Sequence, residues 1–320
     1  MSQLEMRAVY AQTLIELAEN DERIVLLEAD LMKGSGTGVF RDKFPERTFN
    51  MGVAEANMVG TAAGLSAGGK IPFADTFACF ATRRTYDQFF ISGNYARQNV
   101  KLVGTDPGIA SEYNGGTHMP FEDMGIMRNI PKLVVFEPGD PVSLKKLVKK
   151  SAYHQGCTYM RLHRKPVSVI YSEDEEFELG KGKVLKDGTG ITLIATGAIM
   201  LAEALKASEM LEKEGISAAV IDMHTIKPVD TELILHYARK TGGIVTCENH
   251  QQINGLGSAV AETLVENYPV LLNRIGIRDE FGEVGTMDYL LERYQLTAGH
   301  IVSAAKTNLE QRKNRMLITK

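Results

Sequence analysis

The sequence predicts an α/β protein built from two three-layer αβα domains with mainly parallel sheets. Short, continuous apolar runs alternate with helical stretches along most of the chain, the pattern of strands buried on both faces and joined by crossover helices. That alternation is broken once, by the acidic run SEDEEFE at 172–178 and a Gly- and Lys-containing stretch to Gly190, which reads as a solvated linker. Domains are therefore expected at 1–172 and 191–320, with a linker at 173–190. Glu55, Phe77, Asp106 and Arg164 each fall after an apolar run, where open parallel sheets bind ligands.

Taken in order, residues 4–20 predict an amphipathic helix and residues 24–29, IVLLEA, a buried strand. Beyond Asp30, the loop KGSGTG at 33–38 has glycines at spacing two whose N–H groups suit a phosphate, although the pattern is neither a Walker loop nor GxGxxG. A strand at 48–51 leads to a helix opening at Glu55. A strand at 71–74, a helix at about 84–96, strands at 100–104 and 133–136, a helix at 141–154 and a strand at 158–162 complete the first domain. The second domain restarts with a strand at 191–195 and continues with a helix at 199–214, a strand at 217–221, a helix at 230–240, a strand at 244–248, a helix after Gly257 and a strand at 271–275. Residues 106–121, DPGIASEYNGGTHMPF, are Gly-rich and irregular, as expected of an active-site loop.

Glu55 is the leading candidate residue. It is an isolated carboxylate at the mouth of an apolar, Gly-rich helix, followed by a strand and by Phe77 and Phe80, a costly place for a charge unless something pairs with it. The competing reading is an N-terminal helix carboxylate answering the macrodipole, worth about 0.3–1 kcal/mol. Gly60, Gly64 and Gly68 recur every fourth residue and share one face, which is expected to let another backbone approach and offset the roughly 1 kcal/mol each glycine costs a helix. Both phenylalanines also fit a plain core role.

The motifs EADL at 28–31, GVAEANM at 52–58, PFADTFACF at 72–80 and GGTH at 115–118 follow the order found in the pyrimidine-binding half of thiamine diphosphate enzymes. Among these the chain resembles the transketolases most closely, and DMHTIKP at 222–228 and ENH at 248–250 resemble the transketolase C-terminal domain. The resemblance covers nearly the whole chain. It implies thiamine diphosphate as cofactor, with Glu55 hydrogen-bonded to the pyrimidine ring to favour the tautomer that removes the C2 proton, Phe77 stacked on that ring, Phe80 in support and Asp30 in cofactor contact. It further implies that His118 exchanges a proton with the reacting sugar oxygen. Arg164, paired with Arg161, is expected to hold the donor's terminal phosphate or sulfonate through a planar fork of donors. Asn114 and Asp106 are expected at the substrate, with Lys33 and Ser35 as further candidates.

Three positions depart from the family. Asp106 stands where a histidine is usual, Asn114 where an aspartate is usual, and Arg83 where another aromatic is usual. These changes alter hydrogen-bond polarity at the sugar, so a modified or branched ketose is expected to compete with xylulose 5-phosphate as donor. His224 and His250 are expected to be structural or interfacial.

At 320 residues the chain is long enough for two domains with their own cores. A 44% hydrophobic and 24% charged composition is an ordinary globular balance. With 36 basic and 40 acidic side chains the formal net charge is −4, which offers no basic footprint for nucleic acid. No apolar run approaches the roughly 20 residues of a membrane span, and the start MSQLEMRAVYAQ is no secretion signal. A cytoplasmic location is the default expectation. Cys79, Cys157 and Cys247 are far apart with no CxxC pair, so neither a disulfide framework nor a zinc site is indicated, and Cys79 reads as a small buried hydrophobe.

Thiamine enzymes bind the cofactor's diphosphate through Mg²⁺ held by a Gly-Asp-Gly motif and a later Asn, because a hard cation takes oxygen ligands. No Gly-Asp-Gly occurs here, and PGDP at 138–141 opens a helix. The resemblance therefore implies the C-terminal subunit of a split transketolase, with no metal ligands of its own. An N-terminal partner would bind Mg²⁺ and diphosphate in an α2β2 assembly, and the pair would transfer a two-carbon ketol unit from a ketose phosphate or sulfo-sugar to an aldose. The alternatives are a 2-oxoacid dehydrogenase E1 β subunit, a deoxyxylulose-phosphate synthase-like subunit and a non-catalytic scaffold. The GGTH loop and Arg164 favour a sugar over a lipoyl arm.

Overall fold

The computed structural model describes residues 3–318; residues 1–2 and 319–320, the outermost positions of the two expected domains, lie outside the described residues. In the first half the strands are β1 (Gln3–Glu5), β2 (Ile24–Glu28), β3 (Thr48–Asn50), β4 (Ile71–Phe77), β5 (Lys101–Thr105), β6 (Val134–Phe136), β7 (Thr158–Leu162) and β8 (Pro166–Ser168). The second half adds β9 (Lys183–Lys186), β10 (Ile191–Ala195), β11 (Ala218–Asp222), β12 (Thr225–Lys227), β13 (Gly243–Gln251) and β14 (Leu271–Ile277). The first sheet has the order β12-β6-β7-β5-β4-β2-β3 and is parallel except for β12. The second has the order β14-β13-β10-β11-β9 and is parallel except for β9. Every residue of β2 and β10 is buried, which is why IVLLE and ITLIA read as unbroken apolar runs instead of alternating ones.

Helix starts follow local chemistry. Asp140 Oδ1 accepts from the Ser143 N–H at 2.7 Å, while Ser143 Oγ accepts from the Asp140 N–H at 3.0 Å, so the helix Pro141–Tyr153 opens on a reciprocal cap with proline in its first turn. Asp140 Oδ2 accepts from the Ile170 and Tyr171 N–H groups. The PGDP stretch is thus a helix start with both carboxylate oxygens in use.

Several expectations are corrected. Residues 3–5 are a strand, antiparallel to β8, and the first helix begins at Met6. The stretch expected as one helix at 84–96 follows a separate helix at Ala78–Arg83 and is itself a single helical turn at Tyr86–Gln88 and a π-helix at Phe89–Tyr95, in which the Asn94 side chain donates to the Phe89 carbonyl at 2.8 Å. The stretch expected as solvated linker contributes β9 to the second sheet, and Phe177 within it is buried edge-on against Tyr171 and His224, with centroids 4.9 and 5.7 Å away. The acidic side chains around it, Glu173, Asp174, Glu176 and Glu178, are exposed as a solvated stretch requires, so only the aromatic turns inward. The glycine face of the helix Glu55–Ala67 receives no backbone from the described residues: a Cβ on Gly60 or Gly64 would meet nothing within 4 Å.

The two halves share their interior. β12 leaves the second domain to pair with β6 of the first sheet, and one apolar cluster runs from Met124, Met127 and Ile130 to Met223, Ile226 and Leu256. No helix among the described residues is long and apolar enough to cross a membrane.

Candidate active site

Four neighbouring parallel strands, in the spatial order β7, β5, β4, β2, end along one edge of the first sheet. Arg164 and Asp106 lie just beyond β7 and β5, Phe77 is the last residue of β4, and Asp30 lies just beyond β2. This is the edge at which parallel sheets place ligands, because strand ends and following loops leave backbone and side chains free there. Glu55 joins them as the first residue of its helix after β3.

Glu55 is 4% exposed, and its Oε1 accepts from Arg84 Nη1 at 2.7 Å. The Arg84 guanidinium also lies 4.0 Å over the Phe80 ring, so one half-exposed cation serves a carboxylate and an aromatic face together. The sequence reading missed Arg84, because two adjacent arginines carry no signal of which one turns inward. Arg83 turns to the loop instead, donating to Glu122 Oε1 at 2.5 Å and to the Thr117 carbonyl at 3.2 Å.

Phe77 and Phe80 lie with ring centroids 6.1 Å apart, and His118 stands edge-on to both at 6.2 and 5.3 Å. His118 Nδ1 is hydrogen-bonded to the Thr117 hydroxyl at 2.8 Å. A Cβ added to Gly34 would lie 3.3 Å from Phe77 Cε1 and 3.6 Å from Arg164 Nη1, so the Gly-containing loop closes on the same rings. Arg164 pairs through Nε with Asp106 Oδ1 at 2.8 Å, and its guanidinium lies 5.7 Å from the Phe77 centroid. Burial pushes the Asp106 carboxyl up to about 6 against the pull of Arg164. Asp106 turns off β5 at φ 55°, a left-handed conformation that aspartate tolerates better than most side chains. Asp30, at φ 63°, exchanges hydrogen bonds with Asn50. Asn114 is exposed on the His118 loop.

Two substrate candidates point elsewhere. Ser35 is buried and donates to Glu28 Oε1 at 2.5 Å. Arg161 is wholly buried, donating to Asp123 Oδ2 at 2.8 Å, Glu137 Oε2 at 2.7 Å and the Asn249 carbonyl at 2.9 Å. It lies inside β7, whereas Arg164 lies past the strand's end, and that difference separates the structural arginine from the accessible one. Lys33 is exposed. Cys79 is buried, its thiol pushed up to about 12 by desolvation.

His250 joins the domains, accepting from the Gly125 N–H through Nε2 at 3.2 Å with Nδ1 on the Gln251 carbonyl at 2.7 Å. Burial lowers it to about 4. A histidine depressed in the fold is neutral there while the unfolded chain protonates near 6.5, so its contribution to stability is lost as pH falls from about 6.5 toward 4. Denaturation at pH 7 and pH 5 is expected to show a smaller acid loss for His250→Gln than for the wild type; equal losses would refute this.

The donor set fits the pyrimidine half of thiamine diphosphate: a buried carboxylate, two aromatic faces and a close-packed glycine loop adjoin one another. Among the described residues no group of three or more His, Cys, Asp or Glu side chains is placed to hold a metal ion. A cleft of about 730 Å³ lies beside this edge, lined by Arg83, Gly116, Thr117, Glu122 and the segment from Asp279 to Gly282.

Comparison with known proteins identifies the domains. Residues 2–168 match the family described as transketolase, pyrimidine binding domain, and residues 180–301 match transketolase, C-terminal domain. The chain is 52% identical over 309 residues to a 6-deoxy-6-sulfo-D-fructose transketolase subunit, SqwH, of Clostridium sp. strain MSTE9, covering 97% of this chain and 95% of that one. It is 37% identical to one of the subunits of the apulose-4-phosphate transketolase of Phocaeicola vulgatus, covering 93% of this chain and 96% of that one. A solved split-gene transketolase, in an inactive β4 tetramer, superposes with a TM-score of 0.88 at 44% identity, covering 97% of this chain and 99% of that one.

Proposed function

The chain belongs to the transketolase family, and from that premise we propose that it is the C-terminal subunit of a cytoplasmic two-chain transketolase. It would transfer a two-carbon ketol unit from a ketose with a terminal anion to an aldose. An N-terminal partner subunit would supply the Mg²⁺ and diphosphate site, in an α2β2 assembly. The observation that carries this reading is Glu55 buried beside Phe80 and one shared arginine, with His118 edge-on to the neighbouring rings.

Bound thiamine diphosphate would supply the carbanion that carries the two-carbon unit. Glu55 would hold a proton between its carboxylate and the pyrimidine ring nitrogen, and burial keeps water from competing for it. Phe77 and Phe80 would orient the flat ring, with Asp30, fixed by Asn50, in further cofactor contact. His118 has Nδ1 engaged by Thr117 and is left to move the donor hydroxyl's proton through Nε2. Asn114 would meet a sugar hydroxyl. Arg164, aimed by Asp106, would hold the terminal anion with its remaining donors.

The likeness to a sulfofructose-acting subunit supports a sulfonated hexulose as the preferred donor, with ketose phosphates as the comparison. Arg164→Ala is expected to raise the donor KM by about 10–100-fold with a smaller effect on kcat, the loss of one charge-assisted contact. An unchanged donor KM would remove Arg164 from the anion site.

The test of the whole reading is calorimetric titration of thiamine diphosphate with Mg²⁺ into this chain alone and into the two-chain complex, followed by a screen of ketose donors. Tight binding and ketol transfer are expected in the pair only. Tight binding to the lone chain would overturn the shared cofactor site, and no transfer by the pair from any ketose would overturn the activity.

A further inference from the structure

Beneath the loop that carries Lys33 and Gly34 lie two carboxyls for which the proposed chemistry has no use. Glu28 and Asp75 are register partners on the adjacent parallel strands β2 and β4, and both are fully buried. Glu28 Oε1 accepts from the hydroxyls of Ser35, at 2.5 Å, and Thr37. Asp75 Oδ1 accepts from the Tyr10 hydroxyl at 2.8 Å. The second oxygen of each carboxyl, Glu28 Oε2 and Asp75 Oδ2, is buried without a hydrogen-bond partner among the described residues.

The groups that face this pair are Tyr10 from the first helix, Ser35 and Thr37 from the loop, and the Leu31 backbone N–H. None is a cation. Two adjacent carboxylates in a dry site repel each other strongly, and the neutral hydroxyl and N–H donors here offset that repulsion only in part. One proton between the orphaned oxygens removes the repulsion and satisfies both atoms. Burial raises both groups, Glu28 to about 7.

We propose that Glu28 and Asp75 share a single proton, and that this carboxyl pair positions the 31–37 loop through the Ser35 and Thr37 hydroxyls. The loop in turn sets Gly34 against Phe77 and Arg164, while Arg7 Nη1 donates to the Gly34 carbonyl at 3.2 Å from its other side. The shared proton is argued from the strand register, the full burial and the two unpartnered oxygens; the pair's value for catalysis rests on the functional reading above. A proton held by the folded pair and not by the unfolded chain gives stability that is complete below about 4 and is lost as pH rises from there to the pair's ionisation, so the loop loosens across that window and no further above it.

The experiment is infrared difference spectroscopy of the full chain, wild type minus Asp75→Asn, which cancels other protonated carboxyls. It is joined to hydrogen exchange of the 31–37 amides between pH 4 and 9. Expected is a deuterium-sensitive protonated-carboxyl band at pH 7 that weakens as pH rises through the pair's ionisation. Loop protection, corrected for intrinsic exchange, should fall by up to about tenfold per pH unit between about 4 and the pair's ionisation in wild type, level off above it, and change less in the variant. Glu28→Gln replaces the same carboxyl by an amide and should give the same difference band should Asp75→Asn fail to fold. Absence of the band, or equal loss of protection in wild type and variant, overturns the proposal. Neither readout needs ketol transfer, so a failed donor screen would count against the activity and leave this result standing.

Discussion

Replacing Glu55 by glutamine in the two-chain complex is expected to lower kcat for ketol transfer by about 10²–10⁴-fold, the range of a positioned acid–base group. The substitution is nearly isosteric, and an amide oxygen still accepts from Arg84 Nη1, now 2.7 Å from Oε1. Folding and the Arg84 stack on Phe80 should therefore survive, and the melting temperature should match the wild type. What is lost is the ionisable proton, so the fall should appear in kcat more than in donor KM. Unchanged turnover in a complex that still binds thiamine diphosphate would remove Glu55 from the chemistry and favour the scaffold reading.

Arg161→Met is expected to cost about 3–5 kcal/mol of stability, since breaking a buried ion pair leaves its partners charged and unpaired. Arg161 Nε serves Asp123, Nη1 serves Glu137 and Nη2 serves the Asn249 carbonyl, and Tyr159 adds its hydroxyl to the same Asp123 oxygen at 2.7 Å. Burial holds the Glu137 carboxyl above its ordinary range even with the guanidinium beside it. Asn249 belongs to β13 of the second sheet, so this one side chain ties a strand of the first domain to the second. Denaturant unfolding checks the size, and the donor KM of the surviving folded fraction checks the role. A raised donor KM with unchanged stability would return Arg161 to the substrate site.

Much of the architecture was legible because buried parallel strands write continuous apolar runs, and β5, β7, β10 and β11 fall within a residue or so of their expected positions. Capping chemistry was legible for the same local reason at Asp140. The misses share a cause. β1 and β12 are short strands whose existence depends on partners more than eighty residues away, β8 and β6 respectively. In the π-helical segment the Asn94 side chain occupies the Phe89 carbonyl, a contact that no apolar periodicity reports. Phe177 looked solvated among acids until Tyr171 and His224 covered it.

The candidate site divides the same way. By itself the sequence determined the alternating two-domain plan, the order of the motifs around Glu55, Phe77 and His118, and the lack of a Gly-Asp-Gly motif. Only the tertiary structure decided which member of each arginine pair meets the site. Arg84 reaches Glu55 while Arg83 reaches Glu122, and Arg164 stands at the sheet edge while Arg161 is buried. Local pattern reports which side chains are apolar and how often they recur. Which partner a charge finds is set by chain segments brought together over long sequence distances, and the cost of burying that charge unpaired makes the choice a property of the fold.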